Sequence, residues 1–283
     1  MSIELKGAPV AAAINERTGT ALGGLLEKGV QPTLAIVRAG ERADDLAYEN
    51  SAARRCEKLG AAVRRVTLPE DAAQARLMEN IYALNADAAV HGVLVLLPLP
   101  KPLDGEAVRL ALSPDKDVDG ITDCSLAGVF SGSGRGFAPC TAQACIEILD
   151  YYGVGCAGKR AVVIGRSLVV GKPAALLLLA RNATVTVCHT KTADLPSVAR
   201  GAEILIAAAG KPGAVGADCL SAQQVVIDVG VNFAGGKMCG DVDFAAAAPV
   251  VSAITPVPGG VGAVTSAVLA AHVVEAAARS LRG

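Results

Sequence analysis

The stretch Ala161-Val162-Val163-Ile164-Gly165-Arg166-Ser167-Leu168-Val169-Val170-Gly171-Lys172-Pro173 reads as a strand, a tight turn and the start of a helix. Its four apolar residues in a row, three of them β-branched, suit a strand covered on both faces. Gly165 permits the sharp turn, and Gly171 lets the helix pack closely on the strand. The free N–H groups at the helix start can then receive a pyrophosphate. The spacing departs from the standard G-x-G-x-x-G: Ser167 takes the middle position and the last glycine comes one residue late. Ordinary turn glycines would give a similar string, so its weight comes from what surrounds it.

Downstream the pattern repeats, with strand Thr184–Cys188, helix Asp194–Gly201, strand Ile204–Ala208 and strand Val225–Val229. A helix capped by Thr141 and running to about Tyr152 precedes the turn. This βαβ series has the usual size of a dinucleotide-binding domain. Upstream lies a second alternation: helix Ala11–Glu27, strand Thr33–Val37, helix Ala43–Leu59 stopped by Gly60, strand Ala62–Val66, helix Ala72–Asn85, and strand Gly92–Leu97 cut off by Pro98 and Pro100. Residues 101–140 are rich in Gly, Ser, Pro and Asp and show no long period. The expected fold class is α/β with two domains and a cleft between them. Residues 1–139 form an N-terminal domain to which a last helix, 264–283, returns, and residues 140–263 form a Rossmann-type parallel-sheet domain.

Composition excludes several functions. The 283 residues carry 26 Lys+Arg against 27 Asp+Glu, a formal net charge of −1, which gives no footprint for nucleic acid or an anionic membrane. Apolar runs such as Gly92–Pro100 fall far short of a membrane span, and Thr265, Ser266, His272 and Glu275 interrupt the longer stretch at 263–278. The first 20 residues show no secretory pattern. The reading is a cytoplasmic protein with no nucleic-acid or membrane partner. Eight scattered cysteines without a CxxC pair, and only three histidines, predict reduced thiols and no metal site.

The end of the strand after the glycine turn discriminates between cofactors. It reads Val187-Cys188-His189-Thr190-Lys191, with no carboxylate for a ribose 2′-OH, and Arg166 stands in the neighbouring turn. That pattern favours NADP, with NAD as the alternative.

Further strings converge with the turn: Lys116-Asp117-Val118-Asp119-Gly120, Pro139-Cys140-Thr141, Asn182-Ala183-Thr184-Val185-Thr186, Ile227-Asp228-Val229-Gly230, Gly240-Asp241-Val242, and Ile254-Thr255-Pro256-Val257-Pro258-Gly259-Gly260-Val261-Gly262. In order and spacing the chain resembles the methylenetetrahydrofolate dehydrogenase/cyclohydrolase family from about Pro32 to its last helix. The resemblance implies a one-carbon tetrahydrofolate substrate, a nicotinamide cofactor and a homodimer. It places Asp119 against the pterin's aminopyrimidine edge, where a carboxylate suits paired donors, and Tyr48 over the aminobenzoyl ring. Both are expected in the catalytic site. Val95, Leu97 and the loop Pro258, Gly259, Gly260, Val261 are implied on the substrate side. Gly165, Arg166, Ser167, Val170 and Gly171 are implied at the cofactor, with His189, Thr190, Gly210, Gly230, Val231 and Thr265.

Two positions depart from the family. Its tyrosine is followed by Val-x-x-Lys, whereas this chain has Tyr48-Glu49-Asn50-Ser51-Ala52, so the cyclohydrolase lysine is Ala52. Its Val-Gln-Leu-Pro-Leu-Pro is here Val95-Leu96-Leu97-Pro98-Leu99-Pro100, so the partnering glutamine is Leu96. Arg54 and Arg55 are two and three residues on, about 200–300° around a helix from Ala52. Activating water against the methenyl carbon requires a base or strong hydrogen-bonding group, which Ala52 and Leu96 lack. The expectation is an NADP-dependent 5,10-methylenetetrahydrofolate dehydrogenase with weak or lost cyclohydrolase activity. The alternatives are the ordinary bifunctional enzyme and a non-catalytic folate- or nucleotide-binding paralogue.

Overall fold

A computed structural model describes residues 2–282, which divide into two compact units. In chain order the first half contains β1 (Ile3–Glu4), α1 (Gly7–Leu26), β2 (Thr33–Ala39), α2 (Ala43–Leu59), β3 (Ala62–Leu68), α3 (Gln74–Ala86), β4 (Gly92–Val95), α4 (Gly105–Ala111) and α5 (Asp123–Ser131). The second half contains α6 (Cys140–Tyr151), β5 (Arg160–Ile164), α7 (Gly171–Ala180), β6 (Thr184–Cys188), α8 (Leu195–Arg200), β7 (Ile204–Ala207), β8 (Val225–Asp228), β9 (Asn232–Ala234), β10 (Lys237–Cys239), α9 (Phe244–Ala247), β11 (Ala253–Ile254) and α10 (Val261–Ser280).

One unit comprises residues 13–140 and 266–282. Its sheet is three parallel strands in the order β3-β2-β4. Leu34–Val37 are fully buried, as a central parallel strand requires. Leu77, Ile81 and Leu84 of α3 pack with Val37, Val93 and Val95 in one core cluster. Helix α2 ends where the sequence indicates: Gly60 is left-handed at φ 99° and its N–H closes the last turn. Glu49 of α2 is buried and accepts from Arg38 Nε on β2 at 2.6 Å and from Arg65 Nε on β3 at 3.1 Å, which ties the helix to both strands.

The other unit comprises residues 2–12 and 141–265. Its six strands run in parallel in the order β1-β11-β8-β7-β5-β6, with the antiparallel hairpin β9–β10 appended. The chain passes from β5 outward to β6 and then returns across β5 to β7, so the switch point lies between β5 and β7.

Three features differ from the sequence reading. The first dozen residues do not stay with the N-terminal domain: Ile3 and Glu4 pair in parallel with Ala253 and Ile254, a two-residue strand too short to carry a period. Residues 101–140 hold two helices, α4 and α5, each started by a side-chain cap from Asp104 or Thr122. Helix α10 is long and apolar enough to cross a membrane by length and composition, despite its interrupting polar residues. Within the fold 72% of that window is buried, and its His272 Nδ1 donates to the Val118 carbonyl at 2.9 Å.

Candidate functional site

In the first unit the Lys-Asp-Val-Asp-Gly string builds a turn. Lys116 Nζ donates to the carbonyls of Leu84 and Asp87 at 2.8 and 2.6 Å. Asp117, fully buried, accepts from the N–H groups of Ile121 and Thr122 and from Ser125 Oγ at 2.6 Å. Gly120 is left-handed, and a Cβ there would lie 2.5 Å from Pro139 N. These three residues therefore shape the turn that displays Asp119. The family resemblance marks the string without separating the residues that build the turn from the carboxylate it displays.

Asp119 is half-buried. Desolvation and the neighbouring Asp117 push its carboxyl up to about 7, against a hydrogen bond from the Cys140 thiol that lowers it. Tyr48 is also half-buried, and desolvation with the nearby Asp119 and Cys140 raises its hydroxyl well above the usual value. The same desolvation keeps the Cys140 thiol protonated far above neutral pH. Cys140 Sγ also lies 3.2 Å from the Val118 carbonyl and 3.6 Å from His272 Nδ1. Tyr48, Asp119, Cys140 and His272 thus form one group; the last two are contributions the sequence reading missed. Cys140 stood inside a quoted family string, but His272 had no signal beyond being a histidine in an apolar helix.

Ala52 lies one helical turn after Tyr48 and is completely buried. Leu96 follows β4, is 4% exposed, and donates its backbone N–H to the Val37 carbonyl at 3.0 Å. Val95 is buried and Leu97 half-buried; the Leu97–Pro98 peptide is cis. Arg54 and Arg55, with Lys58, line an open surface cavity of about 590 Å³.

In the second unit the glycine turn has the shape the sequence requires. Gly165 has φ 130°, and a Cβ there would come 2.1 Å from the Ala208 carbonyl oxygen. A Cβ at Gly171 would come 2.2 Å from the Gly165 carbonyl oxygen. Ser167 Oγ accepts from the N–H groups of Val170 and Gly171 at 3.2 and 3.4 Å, so it caps α7 where a standard motif has glycine. Arg166 and Thr190 are exposed, and His189 Nδ1 accepts from the Lys191 N–H at 3.1 Å.

A cavity of about 250 Å³ in this unit is lined by Gly230, Val231, Met238 and the loop Pro256–Ala263. It brings the predicted substrate loop Pro258–Val261 together with two predicted cofactor residues. The loop is braced from the N-terminus: Gly7 N–H donates to the Gly259 carbonyl at 2.8 Å, and a Cβ at Gly7 would lie 2.1 Å from the Gly260 oxygen. That contact accounts for the placement of residues 2–12. Thr265 Oγ1 donates back to the Val261 carbonyl at 3.1 Å. Among the described residues no group of three or more His, Cys, Asp or Glu is gathered as a metal site, and all eight cysteines are free.

Residues 5–119 match the family described as tetrahydrofolate dehydrogenase/cyclohydrolase, catalytic domain, and residues 139–281 match its NAD(P)-binding domain. A protein from Alkaliphilus oremlandii named bifunctional protein FolD is 48% identical over 277 residues, 98% of this chain and 97% of its own. A protein of the same name from Carboxydothermus hydrogenoformans is 48% identical over 279 residues, again covering 98% and 97%. The crystal structure of the bifunctional FolD dehydrogenase/cyclohydrolase from Campylobacter jejuni superposes with a TM-score of 0.96 at 37% identity, covering 99% of each chain. A Trypanosoma brucei FolD structure, complexed with NADP cofactor and inhibitor, gives 0.93 at 33% identity, covering 100% of this chain and 99% of its own.

Proposed function

The chain belongs to the tetrahydrofolate dehydrogenase/cyclohydrolase family and is an enzyme, and on that premise we propose that it works as an NADP-dependent 5,10-methylenetetrahydrofolate dehydrogenase whose cyclohydrolase step is weak or lost. The observation that carries the second half is the pair Ala52 and Leu96: both buried, and neither side chain with a donor, an acceptor or a titratable proton.

Asp119, as the carboxylate, accepts paired hydrogen bonds from the pterin's aminopyrimidine edge and fixes the folate's orientation. Tyr48 lies over the aminobenzoyl ring and holds its face. With the substrate so held, the lone pair of the folate nitrogen drives hydride from the methylene carbon, and the protein's part is proximity, orientation and exclusion of water. NADP, when bound, supplies the hydride-accepting carbon. The glycine cradle at 165 and 171 fits a dinucleotide, since any Cβ there would occupy the space of the turn itself. The exposed Arg166 and Thr190 suit a 2′-phosphate, and the relative with NADP in its crystal supports that choice over NAD. Gly210, Gly230, Val231 and Thr265 complete the cofactor side of this reading.

Opening the methenyl ring is a different demand. A water must be held and its proton taken, and one well-placed acid/base group contributes about 10²–10⁴ in rate. Ala52 supplies nothing to do so, and Arg54 and Arg55 line an open surface cavity with Lys58. The second reading, a bifunctional enzyme, is favoured by the names of its relatives.

The test follows two signals in one cuvette: purified protein is given methylenetetrahydrofolate with NADP, and reduced cofactor and methenyl product are read separately. Equal accumulation of both is expected. Reduced cofactor without methenyl build-up would establish the bifunctional reading, and no turnover with either NADP or NAD would remove the dehydrogenase assignment.

A further inference from the structure

Two carboxylates at the C-terminal ends of the second unit's strands have no part in the chemistry above. Asp228 ends β8 and is 3% exposed; Asp241 follows β10 and is completely buried. Each is saturated by donors from several loops. Asp241 Oδ2 accepts from the Gly210 N–H at 2.8 Å, and its Oδ1 accepts from the Lys211 N–H and from Asn232 Nδ2, both at 2.9 Å. Asp228 Oδ1 accepts from the N–H groups of Gly230 at 2.9 Å and Asp241 at 3.0 Å, and Oδ2 from Val242 N–H at 3.0 Å.

Glycines make this approach possible. A Cβ at Gly230 would fall 2.3 Å from Asp241 N, and one at Gly240 would fall 1.8 Å from Asp228 Oδ2. The loops so joined follow β7 and β8, beside the switch point where a doubly wound sheet receives its ligand. A buried carboxylate is costly unless every oxygen is used, so this arrangement persists only with the loops in this one geometry.

We propose that Asp241 is a positioning residue for the nicotinamide cofactor: with no exposed surface of its own, it holds the loop at Gly210 and Lys211 against the loop at Gly230–Asn232, and Asp228 holds Asp241. The proposal rests on the cofactor reading of Gly210, Gly230 and Val231. Asp241→Asn keeps the size of the side chain but turns an amide donor toward at least one backbone donor, so a loop must move.

The experiment measures both KM values and kcat for Asp241→Asn beside Arg166→Ala. Asp241→Asn is expected to raise the NADP KM about tenfold, the effect of one hydrogen bond to a charged group. The KM for methylenetetrahydrofolate should stay unchanged. A merely structural role would lower melting temperature and active fraction without that split. An unchanged NADP KM in folded Asp241→Asn, with a raised one in Arg166→Ala, overturns the positioning role and leaves the cofactor site standing. Unchanged values in both overturn the cofactor reading and the proposal with it. Should Asp241→Asn fail to fold, Asn232→Ala removes one partner from the carboxylate without touching the buried pair, and the same KM rise is required of it.

Discussion

Lowering the pH from 8 to 6 should weaken folate binding about tenfold through a single carboxyl. Asp119 is held at about 7 by desolvation and by Asp117, so it crosses from carboxylate to acid near neutral pH. In the proposed function only the carboxylate would accept two hydrogen bonds from the aminopyrimidine edge. With a midpoint of about 7, its ionised share falls from roughly nine-tenths at pH 8 to one-tenth at pH 6. The KM for methylenetetrahydrofolate, at saturating NADP, should therefore rise as pH falls, with most of the change centred near neutrality. Asp119→Asn should bind poorly at every pH and show no such slope. The stability effect has the opposite sense. A carboxyl raised from 3.8 favours the folded state most when protonated, so that contribution is present below pH 3.8 and lost as pH rises through about 7. Asp119→Asn should consequently gain melting temperature relative to the parent at pH 8 more than at pH 5. A KM that is flat from pH 6 to 8 in the parent, or a slope retained in Asp119→Asn, would refute this account of the site.

Cys140→Ala removes a hydrogen bond that lowers the Asp119 carboxyl, so the midpoint of the same KM profile should move to higher pH; a midpoint that stays or falls contradicts the contact. Glu49→Gln leaves Arg38 buried without its counter-charge and should cost about 3–5 kcal/mol in a denaturant titration, the penalty for breaking a buried pair. Arg166→Ala should raise the KM for NADP while leaving that for NAD nearly unchanged, measured with both cofactors side by side. Ala52→Lys combined with Leu96→Gln would supply the two groups that the proposed function finds missing for water activation. Methenyl consumption by the folded double variant should rise about 10²-fold or more over the parent.

Much of the fold was legible because its central strands, such as Gly92–Val95 and Ile204–Ala207, are unbroken apolar runs. Helix Ala43–Leu59 with its Gly60 stop and strand Thr184–Cys188 were read to the residue. What escaped was short or held by distant partners. Strand Ile3–Glu4 exists because β11 offers it an edge, and helix Phe244–Ala247 is a single turn capped by Asp243. Neither leaves a period in the sequence. At the site, the glycine turn and Asp119 stood out because their chemistry demands particular residue types. Lys116 and Asp241 bond backbone groups far away in sequence, and no local pattern marks such a role. The proposed significance of Ala52 and Leu96 is legible only against a family pattern, since an alanine and a leucine announce nothing alone.

The proposed enzyme oxidises the methylene bridge but does not open the methenyl ring. The most direct test is the rate at which purified protein consumes added methenyltetrahydrofolate, followed by absorbance against buffer alone. The expected decay matches buffer while the same preparation reduces NADP with methylenetetrahydrofolate. A decay that rises in proportion to protein concentration would contradict it.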